Sequence, residues 1–213
     1  MKKTALLIMA ITILSKFLGF ARDITLSYFY GASSITDAYL ISITIPSVIF
    51  GFIGMGISTG YIPMYSKVEN LEGTERANRY TSDIVNILMV LCTVMLVLGV
   101  VFTAPLVKVF AAGFSGETLE LAIQFTRIGL TGIYFTGLVA VFNGFLQLKG
   151  NYMIPALVGF PLNTVTILAT IISSRGNPVI MAIGAVMATA SQLLLLWPFI
   201  RKAGYRHKAV FNL

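Results

Sequence analysis

Residues 5–30 form a stretch long and apolar enough to cross a bilayer, yet Lys16, Arg22 and Asp23 lie inside it. A spanning helix needs about 20 mostly apolar residues. Charge at that depth costs at least ~2.5–3.5 kcal/mol per residue, so each of the three requires a partner or a task. A helix turns about 100° per residue, which gathers Thr12, Ser15, Lys16, Gly19, Arg22 and Asp23 into about a third of the circumference. The rest of the surface is Leu, Ile, Phe and Tyr. One reading is a cationic wall facing a cavity in a helix bundle. The other is an Arg22–Asp23 pair that seals helices together, with Lys16 snorkelling to an interface.

Further long apolar runs follow at 37–65, 83–110, 117–148, 152–172 and 179–200. Charged residues make up 11% of the 213 and hydrophobic ones 57%, where a soluble domain carries about 25% charge. Runs of more than about 18 apolar residues are spanning helices, and barrel strands would alternate over about ten residues, which these do not. The expected fold is all-α and integral to the membrane: one bundle of six transmembrane helices over residues 1–213, ending in a basic tail at 201–213. Lys2 and Lys3 ahead of an apolar run imitate a signal peptide. Lys16 interrupts that run and no small-residue cleavage site follows, so an uncleaved first span is expected.

The second span is rich in residues that break a helix or admit a close neighbour: Pro46, Gly51, Gly54, Gly56, Gly60 and Pro63. Thr36 and Asp37 suit its start. Gly56 and Gly60 make a G-x-x-x-G pair, readable as a tight helix contact. Alternatively, Pro46, Gly51, Gly54, Gly56 and Gly60 form a hinge that bends as a transporter changes state. Residues 66–82 mix both signs of charge and read as a solvated loop with a short surface helix. Pro105 is placed to kink or end the third span. In the fourth, Glu120, Gln124, Arg127, Thr131 and Tyr134 stack on one side within ~80°, so Arg127 either joins Lys16 and Arg22 in a basic cavity or snorkels. Pro155, Pro161 and Asn163 interrupt the fifth.

Lysine and arginine placement sets the orientation. The N-terminus, residues 66–82, Lys149 and the tail hold ten of the fifteen basic residues, and the opposite connections hold Lys108 and Arg175. Both termini are therefore expected in the cytoplasm, and most of the formal charge of +7 is explained without nucleic acid. The single cysteine, Cys92, sits in an apolar run and the single histidine, His207, in the tail. That leaves no thiolate cluster, His-based catalytic site or multi-histidine metal site, and no Walker lysine motif is present. A cationic surface inside the membrane suits recognition and movement of an anion better than catalysis.

The run Leu18-Gly19-Phe20-Ala21-Arg22-Asp23, then Gly31-Ala32, Thr36-Asp37-Ala38-Tyr39, Ile45-Pro46 and Tyr61-Ile62-Pro63, resembles the N-terminal part of the MurJ (MviN) lipid II flippases. These belong to the multidrug/oligosaccharidyl-lipid/polysaccharide exporter superfamily. Ala112-Gly113-Phe114, Thr126-Arg127-Ile128, Pro155-Ala156 and Asn163 extend the similarity over essentially the whole chain. The resemblance implies a transporter, not an enzyme, in the bacterial cytoplasmic membrane, moving the lipid-linked peptidoglycan precursor between leaflets. It implies that Arg22, with Lys16 and Arg127, holds the lipid pyrophosphate, that Asp23 and Asp37 are the family's acids, and that membrane lipids surround the bundle. No cofactor is implied; coupling to membrane potential or a monovalent ion is the open choice. Another exporter of the superfamily, or a membrane module that only packs against a partner, are the alternatives. Where the family commonly carries arginine after the second-span proline, Phe50 and Gly51 stand here. The family has about fourteen spans in two lobes, so six spans correspond to one lobe, and a C-terminal lobe or partner chain is the expected complement.

Overall fold

The computed structural model describes residues 2–207, which form ten α-helices and no strand. The basic tail beyond residue 207, with Lys208, lies outside the described residues. Helix α1 (Lys2–Tyr30) is unbroken. After Gly31, the Ser33 side chain accepts a hydrogen bond from the Thr36 amide at 3.3 Å and caps α2 (Ser34–Gly56). The helix thus starts three residues before Asp37, which sits in its first turn where the dipole favours a carboxylate.

Three of the breaks in later helices fall where proline withholds a donor. A π-helical turn, Ile57–Tyr61, joins α2 to α3 (Ile62–Glu72). Pro63 cannot donate to the Thr59 carbonyl and Gly60 weakens the same turn, so the ladder shifts there. Helix α4 (Thr74–Val101) breaks at Phe102 before α5 (Thr103–Phe110), because Pro105 has no N–H for the Val101 carbonyl. Helices α6 (Gly116–Leu130) and α7 (Ile133–Leu148) meet at a 42° bend. Helix α8 (Met153–Leu157) stops before α9 (Gly159–Ser173), where Pro161 deprives the Leu157 carbonyl. Helix α10 spans Val179–Lys202.

Five helical stretches are long and apolar enough to span a membrane, and the bent pair α6 and α7 makes a sixth. The chain is a multi-pass membrane protein. The polar segment at 66–82 is not a loop. It continues α3 and opens α4, and only Gly73, at φ 85°, leaves the helix. Its charges are spaced for helix: Arg79 donates to Glu75 at 2.8 Å and Arg76 lies 3.4 Å from Glu72, each an i, i+4 pair.

Two apolar clusters sit at different levels of the bundle. One gathers Tyr61, Tyr65, Leu88, Phe142, Phe145, Leu196 and Ile200; the other gathers Leu26, Tyr39, Ile45, Val107, Phe125 and Met181. Beside the first, Lys149 Nζ donates to Glu69 Oε1 at 2.6 Å and stands over the rings of Tyr65 and Phe145, 5.2 and 5.8 Å from their centroids. Asn78 Nδ2 donates to the Gly204 carbonyl and Ser82 Oγ to Tyr205 Oη. The 66–82 segment, the Lys149 turn and the residues after α10 therefore share one end of the molecule.

Candidate functional site

The charged helix α1 packs chiefly on α8 and α9 and scarcely on α2. Along the seam with α9 its small and polar residues do the packing. Gly159 lies against Ser15 Oγ, which occupies the space a Cβ would need, and Gly19 faces the Asn163 amide. Asn163 Nδ2 donates to the Ser15 carbonyl at 3.4 Å, and Tyr30 Oη donates to Ser173 Oγ at 2.7 Å. The Ser15 and Gly19 part of the polar face thus closes a helix seam.

Arg22 sits where this seam opens. Its Nε and Nη2 donate to Asp23 Oδ1 at 3.0 and 2.8 Å, and its Nη1 donates to Asn163 Oδ1 at 3.3 Å. A guanidinium has five N–H donors. These three bonds leave one on each Nη without a partner among the described residues. The Arg22 side chain is 35% exposed and that of Asp23 63%, so Asp23 points outward while Arg22 remains half-buried. The pair joins neighbours on one helix; the bond that crosses between helices is to Asn163.

Arg22 and Asp23 line a cleft of about 350 Å³ between α1 and α2. Its walls are Leu26 of α1, Tyr39 to Phe50 of α2, Leu162, Thr166 and Thr170 of α9, and Ala185 to Gln192 of α10. Its floor is the α6/α7 break, through Gly129, Gly132, Ile133 and Thr136. The cleft lies between the two apolar clusters, and Gly129 permits its depth: a Cβ there would meet the Ser42 carbonyl at 2.9 Å. Within a membrane, irregular backbone is tolerated where it is buried or lines a cavity, and the α6/α7 break lines one.

Of the cations and acids singled out from sequence, the cleft collects Arg22 and Asp23, with Pro46 of the hinge set. Lys16 is exposed and outside it, because six residues carry it about 120° around α1 from Arg22. Arg127 is exposed on the outer side of α6, about 200° from Gly129, which faces inward. A cavity shared by Lys16, Arg22 and Arg127 is not formed by this chain. Asp37 is also exposed, on the side of α2 away from the cleft-lining Tyr39. Phe50 lines the cleft, so the position where arginine was expected from the resemblance faces it without charge.

No glycine of the second span has another helix within 4 Å of the position its Cβ would take. A Cβ at Gly51, Gly56 or Gly60 would meet nothing within 4 Å, and one at Gly54 would meet only the ring of Phe50 on the same helix. The tight G-x-x-x-G contact is absent among the described residues. What the sequence reading missed is the far wall: Asn163, read as an interruption, is the bridge to Arg22. Its spacing with Thr166, Thr170 and Ser173 is i, i+3, i+7 and i+10, a one-sided polar stripe visible in the sequence.

Comparison with known proteins places these features in context. The family model for "Lipid II flippase MurJ" matches residues 26–213. A "Lipid II flippase MurJ" of Thermosipho africanus is 27% identical over 95% of this chain and 41% of that protein. One of Burkholderia cenocepacia is 26% identical over 79% of this chain and 33% of that protein. A solved structure of "Lipid II flippase MurJ, inward closed conformation" superposes with a TM-score of 0.82 at 27% identity, covering 97% of this chain and 43% of that one. The chain spans about two fifths of the length of the curated relatives it matches.

Proposed function

Because the chain belongs to the lipid II flippase MurJ family, we propose that it is the first lobe of a transporter that moves a lipid-linked peptidoglycan precursor across the cytoplasmic membrane by alternating access. The observation that carries this is the half-buried guanidinium of Arg22 at the mouth of a mid-bundle cleft, with two N–H donors free. A pyrophosphate in a low-dielectric cavity needs compensating charge and directed donors, and arginine supplies both in a planar fork. Tyr39 lines the same cleft and adds a hydroxyl. Asp23 and Asn163 fix the guanidinium plane, which lowers the ordering cost of binding.

The wall opposite α1 and α2 comes from a second lobe or partner chain. That lobe covers the open side of α1, where Leu14, Phe17 and Phe20 are exposed together with Lys16. Lys16 lies on that open side and meets the precursor when the lobe closes on it; Arg127, on the outer side of the cleft floor, does not. Both termini lie in the cytoplasm, which the gathering of the 66–82 segment, Lys149 and the residues after α10 at one end supports.

The test is a chimera in which this chain replaces the corresponding lobe of a full-length relative, expressed in a strain depleted of its own flippase. Growth is expected with the natural sequence and its loss with Arg22→Ala at equal protein in the membrane. Sustained growth of the alanine variant overturns the role given to Arg22.

A further inference from the structure

A π-helical turn carries one residue more than an α-turn, because its hydrogen bonds run i→i+5 instead of i→i+4. The turn at Ile57–Tyr61 therefore holds a surplus residue within the helix that α2 and α3 form together. Both flanks of that helix are fixed. Downstream, Tyr61 and Tyr65 are buried, Tyr61 Oη lies 2.9 Å from Thr81 Oγ1, Tyr65 Oη donates to Asn78 Oδ1 at 3.1 Å, and Glu69 holds Lys149. Upstream, Ile45 and Phe50 are buried and the Ser42 carbonyl is seated against Gly129. Neither flank is free to turn and absorb the surplus, but the stretch between them has room.

Moving the π-helical turn toward Gly51 gives each residue in between the place of its N-terminal neighbour, a turn of about 100° and a shift of about 1.5 Å along the axis. The run Gly51-Phe52-Ile53-Gly54-Met55-Gly56-Ile57 suits that step, because Phe52, Met55 and Ile57 each follow a glycine. The places they enter are open. A Cβ at Gly51 or Gly56 meets nothing within 4 Å, and one at Gly54 meets the Phe50 ring at 3.8 Å, an ordinary contact. Ile53 enters the exposed place of Phe52. What the step gives up is the packing of Ile53 and Ile57 on the first apolar cluster, where Gly54 and Ser58 replace them. In a bilayer that loss is small, because lipid tails receive an isoleucine about as well as a protein core does.

We propose that residues 51–60 are a two-position register switch. The surplus residue sits beside Gly60 in the present structure and beside Gly51 in a second state, while both fixed flanks keep their places. In the second state Met55 stands against the ring of Phe50, which lines the cleft, where Gly54 now leaves space. The switch thus acts on the Phe50 end of the cleft without moving the helices that wall it, and it is independent of the role given to Arg22.

Pulsed electron paramagnetic resonance on the full chain in lipid nanodiscs tests this. Nitroxides go on Gly56→Cys, whose old and new places are both open, and on Leu194→Cys, exposed on α10, with Cys92→Ala as background. Two distance populations are expected. Deleting Thr59 removes the surplus residue and should leave only the population of the present structure, at an unaltered thermal midpoint. Exchanging neighbours, as Ile53→Gly, Gly54→Ile, Ile57→Ser and Ser58→Ile, returns isoleucine to the core-facing places only in the second register, so the second population should become the larger one. The exchange keeps the chain length and decides the matter if the deletion lowers the midpoint. A single population in the unexchanged chain, two in a stable Thr59-deleted chain, or an unchanged ratio after the exchange each overturns the switch.

Discussion

Among the described residues, the Arg22–Asn163 hydrogen bond ties a charged residue of α1 to another helix, and its worth follows from its geometry. At 3.3 Å it is long for a bond to a cation. The acceptor is an amide that also holds the Ser15 carbonyl at 3.4 Å, and Asn163 is 6% exposed. Interhelical hydrogen bonds in membrane proteins average ~0.6 kcal/mol and reach ~1.7. The charge moves this one up that range and the length moves it down, giving a coupling of about 1 kcal/mol. The cycle is Arg22→Met, Asn163→Leu and both together, followed by reversible unfolding in mixed micelles. Asn163→Leu alone is expected to cost about 1.5–3 kcal/mol, since it breaks both bonds and leaves a charged donor unpaired. Arg22→Met should cost less, because the guanidinium it removes is only half-buried and its bond to the exposed Asp23 contributes little. If the double variant equals the sum of the singles to within ~0.3 kcal/mol, the two residues are independent and Asn163 does not position Arg22.

Three other outcomes are expected. A reporter fused after Leu213 should be active as a cytoplasmic fluorescent protein and inactive as a phosphatase; the reverse pattern places this end outside. Gly51→Ala and Gly60→Ala should leave the stability of this chain unchanged or raised by up to ~1 kcal/mol in chemical unfolding, because alanine is the better helix former and meets open space; a loss shows that these glycines pack. The proton on Lys149 is held more tightly in the fold than its usual 10.5: burial works against the charge, but hydrogen bonds to Glu69 and Tyr65 outweigh it. Stability from this group is therefore complete below the ordinary lysine range and declines as pH rises through the elevated value, so the thermal midpoint should drop above about pH 10.5, and by less in Lys149→Met.

Much of the architecture was legible because the bilayer imposes length. Six apolar runs gave six spans, and the prolines gave the breaks near Phe102, Val158 and the π-helical turn, each traceable to one missing N–H. The 66–82 segment misled because interleaved charge describes a solvated loop and a helix with i, i+4 pairs equally well; a single Gly73 decides between them. The site was half legible. An angular count on α1 identifies a polar sector but not what meets each part of it, so Ser15 and Gly19 went to a seam, Arg22 to a cleft and Lys16 to the outside. Arg127 failed for the same reason: a stripe on α6 shows a face, and only the packing of α2 on the opposite side shows that this face looks outward.

The level at which the chain departs from regular helix bears on mechanism. The α6/α7 bend forms the cleft floor, and Arg22 stands at its mouth. The π-helical turn lies beyond the lining stretch of α2, between Phe50 and the clamped end that Lys149, Glu69 and Tyr65 fasten. Upstream of that turn α2 is tied to α6, and downstream α3 is tied to α4, so the segment from Gly51 to Gly60 is the stretch of this helix without neighbours at its glycines. Helix α1, fixed by one seam to α9 and scarcely joined to α2, is the wall most weakly tied to the rest. Because α9 is itself packed closely on α10, a change in cleft width asks for movement of α1 against both α9 and α2, and the Arg22–Asn163 bond crosses the seam at which α1 would shift. Under the proposed role of Arg22, the anion-binding group then rides on the helix whose position sets the cleft width, so occupancy of Arg22 and the position of α1 would be coupled through the same side chain.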